Sequence, residues 1–383
     1  MIRVLHVHGS NLYGGVEALL ATIARQRKLC PGMQSEFALC FEGRFAAELR
    51  QAGIEPFLLG KVRTRDPLSI RRARKLLSET VRNRHPDAVI CHMPWAQSLF
   101  GPVIKTAGVP LLFWMHGASM GRHWLDRWAS LTQPDYVICN SEYTASTVRN
   151  LYSRVTHAVC YPPVALEELP LDAPGRIALR REHQTPADAV VVVQASRIER
   201  WKGHALHLEA LGVLRDTTRS VCWIAGGPQR TEEERWLREL RHKASRLGIS
   251  DRIRFLGQRS DVRLLLRAAD IYCQPNCAPE PFGIAFIEAM AARLPIVTTA
   301  IGATHEVVDG SCGIMVSPGD SRLLAESLHR LIDDEAERKR LGANGPARAA
   351  RLCDPRRQLE RLHSIVATAI RTRTEGTPSA ASS

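Results

Sequence analysis

The chain has 383 residues, 45% of them hydrophobic and 24% charged, values that are typical of a folded globular protein and exclude an intrinsically disordered one. A chain of this length exceeds what one hydrophobic core normally organises, so we expect two domains. Lysine and arginine together exceed aspartate and glutamate by 13, and such an excess favours anionic partners.

The sequence gives no sign of export or of a membrane span. Its first ten residues, MIRVLHVHGS, are typical of a buried strand and lack the apolar core and cleavage site of a secretory signal. The two longest stretches without charged residues, 88–104 and 106–121, contain Pro, His and Gly and are too short to cross a bilayer. Ten cysteines occur without any CxxC pair, so we expect reduced thiols and a soluble, cytoplasmic protein.

Short apolar runs alternate with longer helical patterns along the whole chain. The strand candidates of the first half are IRVLHVH, EFALCF, PFLLG, DAVICHM, PLLFWMH, YVICNS and HAVCY. Those of the second half are AVVVVQAS, VCWIAGG, IRFLG, IYCQP, PIVTTA and GIMVS. Continuous apolar strands separated by helices are typical of parallel sheets covered on both faces, so the two series predict two doubly wound α/β domains.

The expected domains are residues 1–163 and 164–365, with a hinge in the proline-containing stretch from Tyr161 to Pro174. Residues 366–383, which end in TRTEGTPSAASS, are expected to be a disordered tail. Ligands of open α/β sheets bind beyond the carboxyl ends of the strands, and a cleft between two such domains is the default site. The residues that follow each strand are therefore the first candidates for function.

Residues 61–84 have the pattern of a basic amphipathic helix. Nine Lys/Arg side chains stand against Asp66 and Glu79. The apolar residues at helical spacing are Leu68, Ala73, Leu76, Leu77 and Val81. Contact with an anionic membrane surface at its inner face and a plain solvated surface helix are both open interpretations. Nucleic acid is disfavoured because no binding motif accompanies the charge.

Two strands of the first half are followed by candidate site residues. Gly14 and Gly15 precede a helix, where paired glycines let the backbone approach an anion, although such pairs also simply make turns. His116 follows PLLFWM and is placed either for a substrate hydroxyl and acid–base chemistry or as an ordinary loop histidine.

The second half carries a cationic loop and two spaced glutamates. Arg197 and Lys202 bracket a loop that opens a helix and suit a diphosphate. Glu280 and Glu288 flank the helix start at residues 283–284, in EPFGIAFIEAM, and the second lies in an apolar helix where a carboxylate needs a partner. Cationic groups, a helix N-terminus and carboxylates that accept hydroxyl hydrogens describe a sugar-nucleotide site.

This ordered set resembles the retaining glycosyltransferases of family 4, also called glycosyl transferases group 1. The matching motifs are SRIERWKG, AGGPQ, IRFLG, SCGIMVSPGD and ADIYCQPNCAPEPFGIAFIEAMAARLPIVTT, and the resemblance runs from Gly14 to about residue 365. It implies the GT-B fold, two facing Rossmann-like domains with an inter-domain cleft. It also implies transfer of a sugar from a nucleotide-diphosphate sugar to a glycan, a lipid-linked or a small-molecule acceptor.

The resemblance also assigns roles to the candidate residues. Arg197 and Lys202 would stabilise the diphosphate leaving group, and Glu288 would hold the ribose hydroxyls. Glu280 would hold hydroxyls of the transferred sugar, and His116 would contact that sugar and assist the transfer. The backbone around Gly14, Gly15, Gly283 and Ile284 would lie beside the phosphates.

In this family the acceptor attacks from the face that the phosphate leaves, and the phosphate takes the acceptor's proton. The resemblance therefore implies no cofactor and no bound metal, and Asp333-Asp334-Glu335 is interpreted as solvated surface. The family's Gly-Gly-x-Pro-Glu stretch is here Gly302-Ala303-Thr304-His305-Glu306, which puts a site role for Glu306 in doubt.

Other interpretations stay open at this point. The tryptophans Trp95, Trp114, Trp124 and Trp128 either stack on an acceptor sugar or belong to the core, the more common case. A GT-B-like nucleotide-sugar epimerase would keep the fold and change the reaction. A catalytically silent protein that binds sugar nucleotides or membranes is disfavoured because it has no need of a charge inside an apolar helix.

Overall fold

The computed structural model describes residues 1–10, 12–63, 65–166, 171–216 and 219–375. The chain divides into two compact units. Unit 1 contains Met1–Ala165 together with Cys353–Ser383, and unit 2 is the continuous segment Leu166–Leu352.

Unit 1 is built on a parallel sheet of seven strands. They are β1 Ile2–His8, β2 Met33–Leu39, β3 Phe57–Leu58, β4 Ala88–His92, β5 Leu111–Met115, β6 Tyr136–Cys139 and β7 His157–Val159. Their order across the sheet is β3-β2-β1-β4-β5-β6-β7, and each neighbouring pair is parallel.

Unit 2 repeats this architecture with six strands. They are β8 Val190–Ala195, β9 Ser220–Ala225, β10 Ile253–Gly257, β11 Ile271–Gln274, β12 Ile296–Thr299 and β13 Gly313–Val316. The order β10-β9-β8-β11-β12-β13 is the doubly wound order of a Rossmann fold, again with parallel neighbours. All thirteen predicted strands are present, so the predicted fold of two Rossmann-like α/β domains is confirmed.

Helices connect the strands in both units. Those between β1 and β7 are α1 Gly15–Arg25, α2 Arg44–Gln51, α3 Pro67–Arg84, α4 Met93–Thr106, α5 Trp124–Ser130 and α6 Glu142–Ser146. Those that follow, through unit 2, are α7 Ala173–Glu182, α8 His204–Val213, α9 Thr231–Arg246, α10 Val262–Ala268, α11 Ile284–Ala291, α12 Thr304–Val307, α13 Ser321–Asp333 and α14 Glu335–Cys353. The last is α15, Pro355–Glu375.

Local sequence accounts for these elements. The valine run of β8 is buried because a parallel strand is covered by helices on both faces. The side chain of Asp66 accepts hydrogen bonds from the N–H groups of Leu68 and Ser69 and so caps α3, which ends at His85 in the left-handed conformation, with φ 48°.

The strand order reverses between β1 and β4 in unit 1 and between β8 and β11 in unit 2. At such a switch point the loops that follow the two strands diverge and leave a crevice at the carboxyl edge of the sheet. Gly14 and Gly15 follow β1, the Arg197–Lys202 loop follows β8, and Glu280 follows β11. The fold therefore places most of the predicted site residues at the two switch points.

The C-terminal boundary differs from the expected one. Residues from Cys353 onward belong to unit 1, whereas the sequence assigned residues through 365 to the second domain. Residues 366–375 are helical rather than disordered, because α15 buries Leu359, Leu362, Ile365, Val366 and Ala369. The remaining tail, 376–383, and residues 167–170 of the predicted hinge lie outside the described residues.

The basic segment also differs from its predicted form. The helix begins at Pro67, and only Ala73, Leu77 and Val81 of the predicted apolar face are buried. Leu68 and Leu76 point outward, with 63% and 40% of their surface exposed.

The ten cysteines are free thiols, and all of them except Cys277 are buried. In the described ranges, no helix has both the length and the hydropathy required to cross a membrane.

Replacing Leu362 by Ala should destabilise unit 1, because this side chain is 1% exposed on a helix that packs against α1. We expect a loss of about 2–5 kcal/mol, the usual cost of a buried leucine-to-alanine change. Urea-dependent hydrogen exchange of the β1 and β5 amides measures this loss. Ser364→Ala, at an exposed position of the same helix, is the matched control. Equal protection in both variants would contradict the assignment of α15 to unit 1.

Candidate active site

The centre of the site in unit 2 is an ion pair between Lys202 and Glu280. The Lys202 Nζ donates to Glu280 Oε2 over 2.7 Å, although the two residues are 78 positions apart in the chain. Both side chains are largely buried, at 15% and 6% exposed, so little water screens the pair.

All of the hydrogen bonds to the Glu280 carboxylate converge on one oxygen. Gln274 Nε2 and Asn276 Nδ2 also donate to Oε2, over 3.1 and 3.0 Å. Tyr272 donates its hydroxyl to Gln274 Oε1 over 2.8 Å and thereby orients the Gln274 amide. Among the described residues nothing donates to Glu280 Oε1, so this oxygen remains available to a ligand hydroxyl.

Two glycines allow the loops to come this close. Gly203 has φ 74°, and a Cβ at this position would overlap the carbonyl oxygen of Pro275. Gly302 has φ 70° and forms a parallel bridge with Glu280, and a Cβ there would lie 2.6 Å from both the backbone N and O of Glu280. The glycine that the family's Gly-Gly-x-Pro-Glu stretch shares with this sequence thus supports Glu280 directly.

The backbone of the cationic loop is held from below by Gln194, at the end of β8. Gln194 Nε2 donates to the carbonyl oxygen of Lys202 over 2.8 Å, and Gln194 Oε1 lies 2.9 Å from Nδ1 of the buried His207. These two contacts fix the position of the loop backbone at Lys202 relative to β8.

Arg197 is engaged by carboxylates in this state. Its Nη2 donates to Glu233 Oε1 over 2.6 Å, and its Nη1 lies 3.3 Å from Glu199 Oε1. Glu233 also accepts the backbone N–H of Gln229 in the AGGPQ loop. Arg197 therefore lies on the predicted loop, but its guanidinium must share or exchange these carboxylates in order to bind a diphosphate.

The start of α11 presents two backbone N–H groups. Gly283, at φ 93°, caps the helix, and the backbone N–H groups of Gly283 and Ile284 have no acceptor among the described residues. A Cβ at Gly283 would collide with the Phe286 ring, so the position accepts glycine only. The open N–H groups and the helix dipole favour a bound anion.

Glu288 lies one turn into α11, between buried neighbours such as Ile287 and Ala289. In the described part of the chain its carboxylate has no hydrogen bond or ion pair. Although part of its surface stays accessible, loss of hydration raises its pKa to about 7, and the charge of Arg263 opposes this rise. Within the described ranges, this carboxylate thus receives no hydrogen bond from the protein.

In unit 1 the glycine pair is only partly open to a ligand. The N–H of Gly14 already donates to Glu17 Oε2 over 2.8 Å in a capping box, whereas Gly15 N–H has no partner among the described residues. Glu17 Oε1 lies 2.7 Å from His8 Nε2. Burial disfavours the charged form of Glu17, but the contacts with His8 and Gly14 outweigh burial and lower its pKa.

His116 follows β5 and is 9% exposed. Its Nε2 lies 2.9 Å from Nδ1 of His92, and its ring stacks on Trp114 with centroids 5.3 Å apart. Burial, with a smaller contribution from His8, lowers its pKa to about 3. His116 is therefore a neutral hydrogen-bonding group at physiological pH.

The structure also places the predicted tryptophans and the acidic residues 333–335. Trp114 is fully buried and belongs to the core, and Trp124 is 57% exposed and stacks on Trp128 with centroids 6.2 Å apart. Residues 333–335 are exposed, as predicted. In the described ranges no group of three or more His, Cys, Asp or Glu side chains has the arrangement of a metal site.

Sequence reasoning missed the residues that support the site. Gln274 is the last residue of β11 and Asn276 lies two residues later, and their signal was two polar amides inside IYCQPN. His6 and His92 lie within apolar strands, where a histidine is itself unusual. Glu233 gave no signal because it is one of three consecutive glutamates at the start of α9.

Two Rossmann-like units of this topology define the GT-B class of glycosyltransferases. Residues 13–168 match Glycosyltransferase Family 4, and residues 175–348 match Glycosyl transferases group 1. The chain belongs to this glycosyltransferase family.

Individual relatives agree with this membership. A phosphatidyl-myo-inositol mannosyltransferase of Mycobacterium leprae is 38% identical over 173 residues, 44% of each chain. The lipopolysaccharide core biosynthesis glycosyltransferase LpsD of Rhizobium meliloti is 32% identical over 224 residues, 56% of this chain and 58% of LpsD. The chain spans about half the length of the curated relatives it matches. HepE of Anabaena, solved with UDP and glucose, has the same fold, with a TM-score of 0.85 and 23% identity over 96% of this chain and 100% of that one.

Replacing Glu288 by Gln should stabilise the protein above pH 7. The raised folded-state pKa means that folded Glu288 keeps a proton that the unfolded chain releases between about pH 4.5 and 7, so stability falls across this interval as pH rises. We expect a gain of roughly 1–3 kcal/mol for Glu288→Gln at pH 8 and little gain at pH 4.5, measured by urea unfolding. The exposed Glu326→Gln is the control. The same gain at both pH values would contradict the assignment of the raised pKa to Glu288.

Proposed function

We propose that the protein is a retaining glycosyltransferase that transfers a sugar from a nucleotide-diphosphate sugar to an acceptor hydroxyl without a bound metal ion. The observation that carries this proposal is the Lys202–Glu280 pair at the switch point of unit 2, with one carboxylate oxygen left open. Family membership and the UDP and glucose complex of HepE support a nucleotide-sugar donor.

Lys202 and the start of α11 would bind the diphosphate. One N–H group of the Lys202 ammonium is directed to Glu280, and Nζ lies 3.9 Å from the centre of the Trp201 ring. With the N–H groups of Gly283 and Ile284, this ammonium can stabilise the negative charge that develops on the departing phosphate. Arg197 would join them once the phosphate replaces part of its contact with Glu233 or Glu199.

The two glutamates would bind the carbohydrate parts of the donor. Glu280 Oε1 accepts a hydroxyl hydrogen of the transferred sugar while Gln274, Asn276 and Lys202 hold Oε2. Glu288 accepts hydrogen bonds from the ribose hydroxyls, because no donor among the described residues reaches its carboxylate. Because hydrogen bonds donated by the ribose hydroxyls favour the ionised carboxylate, which accepts at both oxygens, donor binding would lower the pKa of Glu288 and release its proton.

The transfer itself would need no protein base. The acceptor hydroxyl attacks the anomeric carbon from the side on which the phosphate leaves, the carbon–oxygen bond to phosphate breaks, and the phosphate oxygen takes the acceptor's proton. The protein contributes by positioning the reactants and stabilising charge.

Glu280→Gln should abolish transfer and leave the fold intact. The variant keeps an oxygen for Gln274, Asn276 and Lys202, but it replaces the open Oε1 by an NH₂ group that cannot accept a hydroxyl hydrogen. Lys202→Ala should lower kcat/KM at least about 100-fold, the usual effect of removing one donor to a developing anion. Glu239→Gln, an exposed glutamate on α9 that pairs with Arg200, should be neutral.

The donor for this assay is selected by thermal shift against a panel of nucleotide sugars, since a ligand of the native state raises the melting temperature. Full activity of Glu280→Gln and Lys202→Ala at saturating donor would rule out the proposed roles. An epimerised sugar nucleotide formed without consumption of acceptor would replace the transferase by an epimerase.

We also propose that unit 1 contacts an anionic membrane surface through α3, which fits a lipid-linked acceptor. Of the net charge of +13, unit 1 carries +11, with 25 Lys/Arg against 14 Asp/Glu. Arg71, Arg72 and Lys75 are exposed on α3 beside the outward-facing Leu68 and Leu76. Cations around exposed leucines are typical of helices that lie in a lipid headgroup layer. Two relatives carry names that refer to phosphatidyl-myo-inositol and to lipopolysaccharide core.

Sedimentation with phosphatidylglycerol-containing vesicles checks this second proposal. We expect binding that weakens with salt and falls at least about tenfold in Arg71→Glu/Arg72→Glu/Lys75→Glu, since each basic residue contributes about 1 kcal/mol. The control exchanges Arg235 and Arg238, exposed on α9, for Glu. Equal binding of both variants, or no binding at low salt, would end this proposal.

A further inference from the structure

Three histidines from three adjacent strands form a continuous hydrogen-bonded chain in unit 1. His6 of β1, His92 of β4 and His116 after β5 are connected by His6 Nδ1···Nε2 of His92 at 3.0 Å and His92 Nδ1···Nε2 of His116 at 2.9 Å. Both neighbouring ring pairs are stacked with centroids 5.2 Å apart. We call these residues the histidine chain.

Burial keeps every ring of the histidine chain neutral. His6 and His92 have no exposed surface. Loss of hydration lowers the pKa of His6 to about 3 and that of His92 well below its usual range. His8, whose Nε2 lies 2.7 Å from Glu17 Oε1, also disfavours protonation of His92 and His116.

A neutral imidazole has one N–H and one lone pair, so each ring donates at one nitrogen and accepts at the other. The two hydrogen bonds of the histidine chain must therefore run in the same direction. At one end of the histidine chain His6 Nε2 is fully buried and has no partner in the part of the protein that the structure describes. At the other end His116 Nδ1 is not fully buried and has no partner among the described residues.

The buried end of the histidine chain, His6 Nε2, determines in which direction the two hydrogen bonds run. An N–H group that is buried without an acceptor is rarer in proteins than an acceptor left without a donor. The lone pair then belongs on His6 Nε2, and the protons lie on the Nδ1 atoms of all three rings. We propose that His6 and His92 are positioning residues that hold His116 as a neutral donor, with its N–H on Nδ1 facing the ligand.

This inference rests on the proposed function and makes it more specific. The lone pair of His116 is at Nε2, where it accepts the hydrogen bond from His92. His116 is then unable to take the acceptor's proton, and its role is to donate a hydrogen bond to a hydroxyl or phosphate oxygen of the substrate. In the proposed reaction the leaving phosphate takes the acceptor's proton, so no base is required of His116.

The tautomers are measurable in the full-length protein without any substrate. Histidine in water carries its proton mostly on Nε2, so two-bond ¹H–¹⁵N correlation spectra should show His6, His92 and His116 in the opposite, Nδ1–H form, assigned by single substitution. His92→Phe should return His116 to the Nε2–H form. His92→Gln should keep it in the Nδ1–H form, because the glutamine amide donates to His116 and accepts from His6.

The effect on catalysis is measured independently of the tautomers, as kcat of the transfer reaction. With the donor found by thermal shift, His92→Phe should lower kcat roughly 10- to 100-fold, the range for residues that orient a functional histidine, and His92→Gln should recover most of it. His183→Phe, which removes a buried histidine of unit 2, should change neither readout. His116 in the Nε2–H form in the unmodified protein, or unchanged in His92→Phe, would overturn the inference. Absence of transferase activity with the expected tautomers would instead fault the proposed function alone.

Discussion

The site in unit 2 depends on one shared oxygen. Glu280 Oε2 accepts hydrogen bonds from a lysine and two amides, and these three donors satisfy a carboxylate oxygen in a place with little water. Breaking a largely buried pair of this kind leaves an uncompensated charge, which is far costlier than losing a surface ion pair. The same convergence has a chemical result, because it leaves the second oxygen oriented and unoccupied.

Backbone geometry makes this pair possible. Lys202 and Glu280 come from loops after two adjacent strands, and the loops can touch only where a side chain is absent. Gly203 against Pro275 is the contact between these two loops, and Gly302, in the loop after β12, lies against the backbone of Glu280. The strand order of the sheet and two glycines in the left-handed conformation therefore position the backbone of the site, and the polar side chains are attached to this backbone. Preorganisation of this kind is what electrostatic stabilisation of a leaving group requires.

Much of the fold could be predicted because buried parallel strands are continuous apolar runs, and the residues after them lie at one edge of the sheet. The pairing of side chains could not be predicted in the same way. Arg197 meets Glu233, and His6 meets His92, only because the strand order brings distant segments together, and apolar periodicity does not contain that order. The amphipathic pattern of α15 likewise shows that one face is buried but not which unit covers it. Glu288, in contrast, could be identified from the sequence alone, because it is a charged residue within an apolar helix.

The course of the chain has a consequence for biosynthesis. Unit 2 is inserted between β7 and α15, and α15 supplies part of the hydrophobic core of unit 1. On the ribosome the first seven strands therefore emerge long before the helix that completes their packing, whereas unit 2 has its whole sequence available at once. Domains usually fold in the order of synthesis, the N-terminal one first. Here a segment made after unit 2 completes the first unit, so the nascent chain holds an unfinished apolar surface until α15 has left the exit tunnel.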